Sequence, residues 1–493
     1  MVDVRNFIGG QFVASAGGRT LDNIEPATAS HLGTIPDSDE SDVRSAVDAA
    51  ARAFPAWSAT PVADRARILA RVADLIDRDL EALARDESID TGKPISLARV
   101  MDIPRAAANF RFFAGAALHW RSESHRTELP AAPGAPRAIA LNHTLRQPLG
   151  VVALISPWNL PIYLLSWKIA PAIASGNTCV CKPSELTPVT AHRLAGLLAE
   201  AGLPPGVVNI VHGTGRRAGA PLVVHDRVKA ISFTGGTSTG RDIAAAAAPA
   251  FKKLSLELGG KNPTIIFADA PLHSVIPQAV RAAFTNQGQV CLCGSRIYVE
   301  RSIYDAFAPR FTAAVRALRL GDPLDDATQL GALVSAAHRA KVASYVEIAR
   351  AEGGRLLTPD PAAPLDLPDR CRRGFFHPPV VIEGLDNACR TQQEEIFGPV
   401  VTLTPFDSES HAIELANQSR YGLAASVWTS DAARAQRLAE RLEAGMVWIN
   451  CWLVRDLRVP FGGVKDSGVG REGGEDALRF FTDSKNVCQR FEL

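Results

Sequence analysis

Cys291 lies in the stretch Phe284-Thr285-Asn286-Gln287-Gly288-Gln289-Val290-Cys291-Leu292-Cys293-Gly294, and a second stretch, Leu256-Glu257-Leu258-Gly259-Gly260-Lys261, supplies the carboxylate its chemistry needs. A thiol and a carboxylate form an acyl-transfer pair. A cysteine sulfur can add to an aldehyde carbonyl, and once a hydride has left, the same sulfur would hold a thioester that carboxylate-activated water can hydrolyse. Each residue also has a plainer reading. Free cysteine is among the most buried residue types and is usually inert packing. Glu257 could pair with Lys252, Lys253 or Lys261, and Asn159, following Pro157-Trp158, could be a turn former. Cys293 would share a face with Cys291 in an extended segment, and it reads as packing.

The context of these residues decides between the readings. Ser156-Pro157-Trp158-Asn159, Lys182-Pro183-Ser184-Glu185, Phe233-Thr234-Gly235, Glu394-Glu395-Ile396-Phe397-Gly398-Pro399 and Pro460-Phe461-Gly462-Gly463 follow one another along the chain. In this order, and over almost the whole length, they resemble the aldehyde dehydrogenase superfamily. The resemblance implies Cys291 as nucleophile, Glu257 as general base toward the thioester, and the Asn159 side chain with the Cys291 N–H as oxyanion donors. Loss of one such donor typically costs about 10²–10³ in rate. Members that pass the acyl group to coenzyme A generally lack the glutamate, so Glu257 implies a free acid as product.

For the cofactor, Phe233-Thr234-Gly235-Gly236-Thr237-Ser238-Thr239-Gly240 reads as strand, glycine turn and helix, with Thr237 or Ser238 near a helix N-terminus suited to phosphate. Taken alone it departs from GxGxxG, and many glycine turns bind nothing. Many members of the superfamily carry serine where this chain has Gly236, so a hydroxyl contact to pyrophosphate would pass to backbone N–H or water. The resemblance assigns Lys182 and Glu185 to the adenosine ribose and Glu395 to the nicotinamide ribose. Ser156, Ser184, Gly235 and Gly236 line the same site, and Trp158 and Phe397 pack along the cofactor or serve as core. A carboxylate beside the 2′ position accepts a hydroxyl and repels a phosphate, so Glu185 favours NAD, with NADP admitted by a side-chain swing.

Met101-Asp102-Ile103-Pro104-Arg105, leading into Asn109-Phe110-Arg111, and Asn450-Cys451-Trp452-Leu453-Val454-Arg455-Asp456-Leu457-Arg458 narrow the resemblance. They are similar to the muconic semialdehyde dehydrogenases, which oxidise 2-aminomuconate or 2-hydroxymuconate 6-semialdehyde. In that branch, arginines matching Arg105 and Arg455 hold the substrate carboxylate. A guanidinium forks onto a carboxylate with two parallel hydrogen bonds and fixes the far end of the molecule while the aldehyde faces the sulfur. Arg458 could instead pair with Asp456, and Arg111 reads as structural. The rival substrates are other acidic aldehydes, succinic semialdehyde or 5-carboxymethyl-2-hydroxymuconic semialdehyde. A non-catalytic crystallin-type relative is a different class, and retention of Cys291, Glu257 and Asn159 argues against it.

These residues need a large, mixed framework to position them. At 493 residues the chain exceeds one hydrophobic core. Lysine plus arginine number 53 against 52 acidic residues, a formal charge of +1, so no overall field recruits nucleic acid or an anionic membrane. Eight cysteines without CxxC pairs or zinc spacing imply reduced thiols and no metal site. The N-terminal residues lack the pattern of a signal peptide, and a cytoplasmic location is expected. The most apolar stretch, residues 151–181, is interrupted by Pro157, Asn159, Pro161, Lys168 and Pro171 and reads as buried core, not a membrane span.

Helical periodicity over residues 41–54 (Val43, Val47, Ala50, Phe54) and 63–83 (Leu69, Val72, Ile76, Leu80, Leu83) predicts a chain that opens largely with amphipathic helices. Pro130, Pro133, Gly134 and Pro136 break the pattern, and residues 137–145 alternate as a half-buried strand does, predicting an arm. Short apolar runs then alternate with helices: strands at 151–155, 178–182, 207–211 and 229–233, helices near 162–174 and 188–201. That alternation predicts an α/β fold with a doubly wound parallel sheet able to bind a dinucleotide. A second α/β series starts near 264–267 and includes a helix over 303–318 with Ser302 as N-cap, Pro309 inside and Gly321 beyond its end. Residues 359–368 read as a surface loop, and strands near 400–404 and 424–428 continue the series. The expected organisation is a NAD-binding domain (1–126 and 149–258), a catalytic domain (259–450), a β oligomerisation arm (127–148 and 475–493), and a substrate loop returning to the cofactor domain (451–474). The resemblance adds assembly as a homodimer or homotetramer.

Overall fold

In the computed structural model, which describes residues 3–130 and 137–492, five apolar runs lie side by side as parallel strands. Their spatial order is Val208–Ile210, Thr178–Lys182, Val151–Ile155, Val228–Thr234, Lys253–Glu257. The hairpin Asn6–Ile8/Gln11–Val13 closes one edge and Gly468–Val469 the other, all antiparallel, giving eight strands. Side chains alternate across this sheet because the strand period is two. Val152, Leu154, Cys179 and Cys181 face one core with the helices Val62–Arg78, Ile103–Leu118 and Pro161–Ala174. Val151, Ala153, Ile155 and Val180 face the other, against Glu40–Ala59 and Thr237–Ala247. Both faces are covered, so the strands read as continuous apolar runs.

In chain order these five strands run 3-2-1-4-5, so the winding reverses between Val151–Ile155 and Val228–Thr234. Ligands of doubly wound sheets bind at such a switch point, beyond the carboxyl ends of the strands. Ser156-Pro157-Trp158-Asn159 and Gly235-Gly236 emerge at those ends.

Residues 258–262 cross from this sheet to a second one of seven strands. Val380–Glu383, Val400–Phe406, Arg296–Glu300, Pro263–Ile266, Ala424–Trp428 and Met446–Ile449 run parallel there, with Arg355–Leu356 antiparallel at the edge. A three-stranded antiparallel arm pairs Ala138–Pro148 with Ser124–Leu129 on one side and Thr482–Glu492 on the other. The strand read from alternation over 137–145 is its central member. Of the expected break before it, Pro133, Gly134 and Pro136 lie outside the described residues.

Outside the site, the structure departs from the sequence expectation in two places. The chain opens with two hairpins, the edge hairpin above and Thr20–Glu25 with Ser30–Pro36, before the first helix. Their strands are short or polar, and short runs carry little periodic signal. Ser302 is not an N-cap: Arg296–Glu300 runs directly into the helix Arg301–Arg316, with Glu300 at the cap position and no side-chain cap bond. Ser302 bonds the Glu300 carboxylate instead, at 3.3 Å, and the helix stops well short of Gly321.

Candidate active site

The segment leading to Cys291 is held under backbone strain. Helix Leu272–Phe284 ends at Thr285, and Asn286 (φ 53°) and Gln287 (φ 56°) follow in the left-handed region. Such residues typically cost about 1–3 kcal/mol each and persist where surroundings over-determine them. Here the surroundings do. The Asn286 amide donates to Asn159 O (3.1 Å) and Gln289 O (3.2 Å), and the Gln287 amide to Ala332 O (2.9 Å). Gly288 (φ +71°) sits where a Cβ would fall 2.2 Å from Gly398 O, so the loop lies flush on the Glu394–Pro399 motif. Asn262 Nδ2 then donates to Cys291 O (2.7 Å) and Cys293 O (2.9 Å), pinning the loop to the inter-sheet crossing.

Cys291 and Cys293 lie in a turn closed by Cys293 N–H to Val290 O at 3.0 Å, so they do not share the face an extended segment would give them. Cys293 packs among Val290, Leu292, Trp448 and Trp452, and burial raises its thiol. Cys291 instead lines a cavity of about 240 Å³ with Asn159, Trp158, Glu395 and Phe397. The residue keeps some exposure to that cavity, but its sulfur sits deep in protein. Burial, followed by the charges of Glu395 and Glu257, pushes its thiol up to about 12, and Arg455 opposes the shift. The Asn159 amide nitrogen donates to Gln289 O at 2.9 Å. One amide N–H and the backbone N–H of Cys291 have no partner among the described residues.

Glu257 ends the strand Lys253–Glu257 with neither carboxylate oxygen hydrogen-bonded among the described residues. Burial and then Glu472 raise its pKa well above the usual carboxylate range, with Lys168, Arg471 and Arg455 opposing. Gly462 (φ +155°) makes room for it: a Cβ there would lie 2.7 Å from Oε1. The lysines that might have paired it are occupied or elsewhere. Lys252 donates to Val223 O and His225 O at 2.7 Å each, Lys253 to Thr482 O at 2.7 Å, and buried Lys261 has no hydrogen-bond partner among the described residues. The cation that matters was visible only as an interruption of an apolar run. Lys168 is buried in helix Pro161–Ala174 and bonds Glu472 (2.7 Å) and Ser232 (2.9 Å), while Ser232 also donates to Glu472 (2.9 Å).

Beside the cavity, and sharing Trp158, Thr234, Gly235 and Gly236 with it, runs a groove of about 710 Å³ along the switch point. Ser156, Lys182, Ser184 and Glu185 line it. Lys182 and Glu185 are ion-paired at 2.8 Å. The hydroxyls of Ser156, Thr234 and Thr237 are buried without partners among the described residues, an arrangement that costs free energy unless a ligand or water satisfies it. Helix Thr237–Ala247 points its N-terminus into this region with Gly236 at the cap, and Gly236 has open space around it. Donors, charge pair and helix end fit a dinucleotide. Glu395 Oε1 accepts from Gly260 N at 2.9 Å. Trp158 and Phe397 meet edge to face at 5.3 Å. His338, which sequence reasoning missed, joins them, bonding Phe397 O at 2.7 Å and held neutral by burial, which pushes it down to about 4.

Arg105 and Arg455 come from distant segments onto one helix. Arg105 stands over the Tyr163 ring at 5.5 Å, and Arg455 over Phe461 at 3.9 Å and Trp167 at 5.8 Å. Tyr163 and Trp167 are one turn apart on Pro161–Ala174, so both guanidiniums sit on the same side of it. Among the described residues neither arginine is ion-paired. By contrast Arg458 pairs with Asp456 (2.6 Å), and Arg111 with Asp74 (2.9 Å) and Asp77 (2.8 Å).

Among the described residues no group of three or more histidine, cysteine, aspartate or glutamate side chains is placed to hold a metal ion, and no helix is long and apolar enough to cross a membrane. The profile of the aldehyde dehydrogenase family matches residues 12–487. The chain is 51% identical to the 2-aminomuconic semialdehyde dehydrogenase of Danio rerio over 484 residues, 98% of this chain and 97% of that one. It is 45% identical to the 2-hydroxymuconic semialdehyde dehydrogenase of Pseudomonas sp. (strain CF600) over 490 residues, 99% of each. Among solved structures, PnpE from Pseudomonas sp. WBC-3 superposes with a TM-score of 0.93 at 42% identity, covering 99% of this chain and 98% of that one, and it has also been solved with nicotinamide adenine dinucleotide.

Proposed function

This chain belongs to the aldehyde dehydrogenase family, and on that premise we propose that it oxidises a muconic-type semialdehyde, 2-hydroxymuconate or 2-aminomuconate 6-semialdehyde, to the dicarboxylate with NAD. The observation that carries the substrate class is the pair of guanidiniums, Arg105 and Arg455, which stand over Tyr163 and Trp167, one turn apart on helix Pro161–Ala174, without carboxylate partners of their own among the described residues. Two such unpaired cations, of which Arg455 acts on the Cys291 thiol, suit a substrate with a carboxylate at one end and an aldehyde at the other.

In this reading Arg105 and Arg455 bind the carboxylate and the Cys291 sulfur attacks the aldehyde carbon. The free N–H of the Asn159 amide and the Cys291 N–H then receive the oxygen that becomes negative. A nicotinamide held in the groove would supply the acceptor for the hydride that leaves the adduct, and the acyl group would stay on Cys291 as a thioester. Lys182 and Glu185 hold the adenosine ribose, Glu395 the nicotinamide ribose, and Trp158 and Phe397 wall the ring side. Glu257 takes a proton from the water that cleaves the thioester. Its elevated pKa means it needs a route to shed that proton, and Glu472 and Lys168, the charges that act on it most, are the candidates for one. The carboxylate of Glu185, tied to Lys182, disfavours a 2′-phosphate and supports NAD over NADP.

Assembly as a homodimer or homotetramer is supported by the antiparallel arm, which leaves Leu141, Leu145 and Phe491 exposed. Eight free cysteines support a reducing, cytoplasmic location. The test is NADH formation with 2-hydroxymuconate semialdehyde beside a neutral aldehyde of similar length, for wild type and Cys291→Ala. The acid should be strongly preferred, and the variant should bind NAD without turning over. Equal use of the neutral aldehyde would remove the substrate class, and turnover by Cys291→Ala would remove the nucleophile.

A further inference from the structure

Resting on that reading, we propose that Lys93 is a positioning residue for the oxyanion site, acting through Asn159 and tying it to the helix that carries Arg105. Lys93 is fully buried, and its ammonium donates to the backbone carbonyl of Asn159 at 2.9 Å. It is ion-paired with Asp102 and lies 3.8 Å from Glu87. Asp102 closes the π-helical turn Ala98–Asp102 and begins helix Ile103–Leu118, on whose first turn Arg105 sits. One ammonium therefore contacts both the oxyanion residue and the origin of the substrate-binding helix.

The Asn159 carbonyl is doubly held, by Lys93 and by Asn286 Nδ2 at 3.1 Å. Asn286 also bonds Gln289 O, the same carbonyl that receives the Asn159 side chain. The result is a closed ring of bonds, from Asn159 O to Asn286, to Gln289 O, and back to the Asn159 amide. The Gln289 side of this ring is fixed from outside, its Oε1 accepting from Val334 N at 3.1 Å, whereas the Asn159 carbonyl needs an anchor of its own outside the Cys291 loop. Lys93 supplies that anchor, and a charge-assisted bond to a carbonyl is about twice as strong as a neutral one. An ammonium has three N–H donors, and Asp102 and Asn159 take two of them. Burial raises both carboxyls, and Asp102, in direct contact with the ammonium where Glu87 is 3.8 Å away with its other oxygen bonded to Thr190 at 2.6 Å, is the nearer counter-charge. Oxyanion donors contribute only when preset to the geometry of the developing charge, so a loose ring should lower turnover without weakening substrate binding.

The test is a double-mutant cycle. Lys93→Met and Asp102→Asn are made together, so that no lone charge is left buried, and are combined with Asn159→Ala. In the otherwise wild-type enzyme the pair should lower kcat by about tenfold or more, for acidic and neutral aldehydes alike, with KM within about twofold. In the Asn159→Ala background the same pair should cost less than about threefold, because the group it positions is gone. Additive losses, or unchanged kcat in a folded enzyme, would overturn the inference. If the paired variant does not fold, Lys93→Gln, a neutral donor of shorter reach, goes through the same cycle under the same criteria. The two readings fail separately. Absence of aldehyde oxidation in the wild type defeats the proposed function, whereas normal wild-type turnover with an additive cycle defeats only the role of Lys93.

Discussion

Replacing Arg455 with glutamine separates carboxylate recognition from the chemistry at sulfur. The guanidinium stands 3.9 Å over Phe461 and 5.8 Å from Trp167, with no ion-pair partner among the described residues. If it binds the substrate carboxylate, its loss removes charge-assisted hydrogen bonding worth about 1.5–3 kcal/mol. At about 1.4 kcal/mol per tenfold, kcat/KM for the acidic semialdehyde should fall about 10–150-fold. Two other effects accompany the substitution. Loss of the stacking on Phe461 costs about 0.5–2 kcal/mol of folding stability. Loss of the positive charge lets the Cys291 and Glu257 pKa values rise further, since Arg455 opposes both shifts. Those effects act on acidic and neutral aldehydes equally and cancel in the ratio of their kcat/KM values. Initial rates of NADH formation with matched acidic and neutral aldehydes therefore isolate the clamp. A ratio unchanged within about twofold, in a variant that binds NAD and still unfolds in one cooperative transition, would refute the reasoning.

Three further outcomes are expected. Glu257→Gln should give one rapid turnover of NADH and then a steady rate lower by about 10²–10⁴, visible in rapid mixing; loss of the burst itself would put Glu257 before the thioester. In cofactor-free enzyme the Cys291 thiol, pushed up to about 12, is mostly protonated near neutrality. Its iodoacetamide alkylation should rise about tenfold per pH unit from about pH 7 to about pH 9, and a plateau in that range would mean that the thiol is already activated. Glu185→Ser should remove the carboxylate paired with Lys182 and shift the NADP-to-NAD affinity ratio toward NADP by about tenfold or more; an unchanged ratio in equilibrium binding would place the ribose elsewhere.

Local chemistry was legible where it recurs as contiguous words. The runs Val151–Ile155, Thr178–Lys182 and Ala424–Trp428 read as buried strands because their residues are apolar on both faces, and the parallel sheet follows from their alternation with helices. Cys291, Glu257, Asn159 and the glycine turn at Gly235 lie inside such words. The opening hairpins escaped because strands as short as Asn6–Ile8 have no measurable period and are stabilised by their neighbours in the sheet. Ser302 misled because a good capping residue counts only where the chain turns before the helix, and here a strand enters it directly.

The sequence by itself determined the residue types, the α/β class and the spacing that puts carboxylate and amide at or just beyond the ends of strands and the sulfur in a loop after a helix. Tertiary structure alone decided their electrostatics and their partners. Lys168, Glu472 and Ser232 are scattered along the chain, yet they meet beside Glu257, because a buried ammonium is tolerable only where the fold delivers a counter-charge. Lys93 likewise finds Asp102 and the Asn159 carbonyl in the packed interior. Burial depth sets the Cys291 and Glu257 pKa values, and depth is a property of packing between two sheets, which no local pattern encodes.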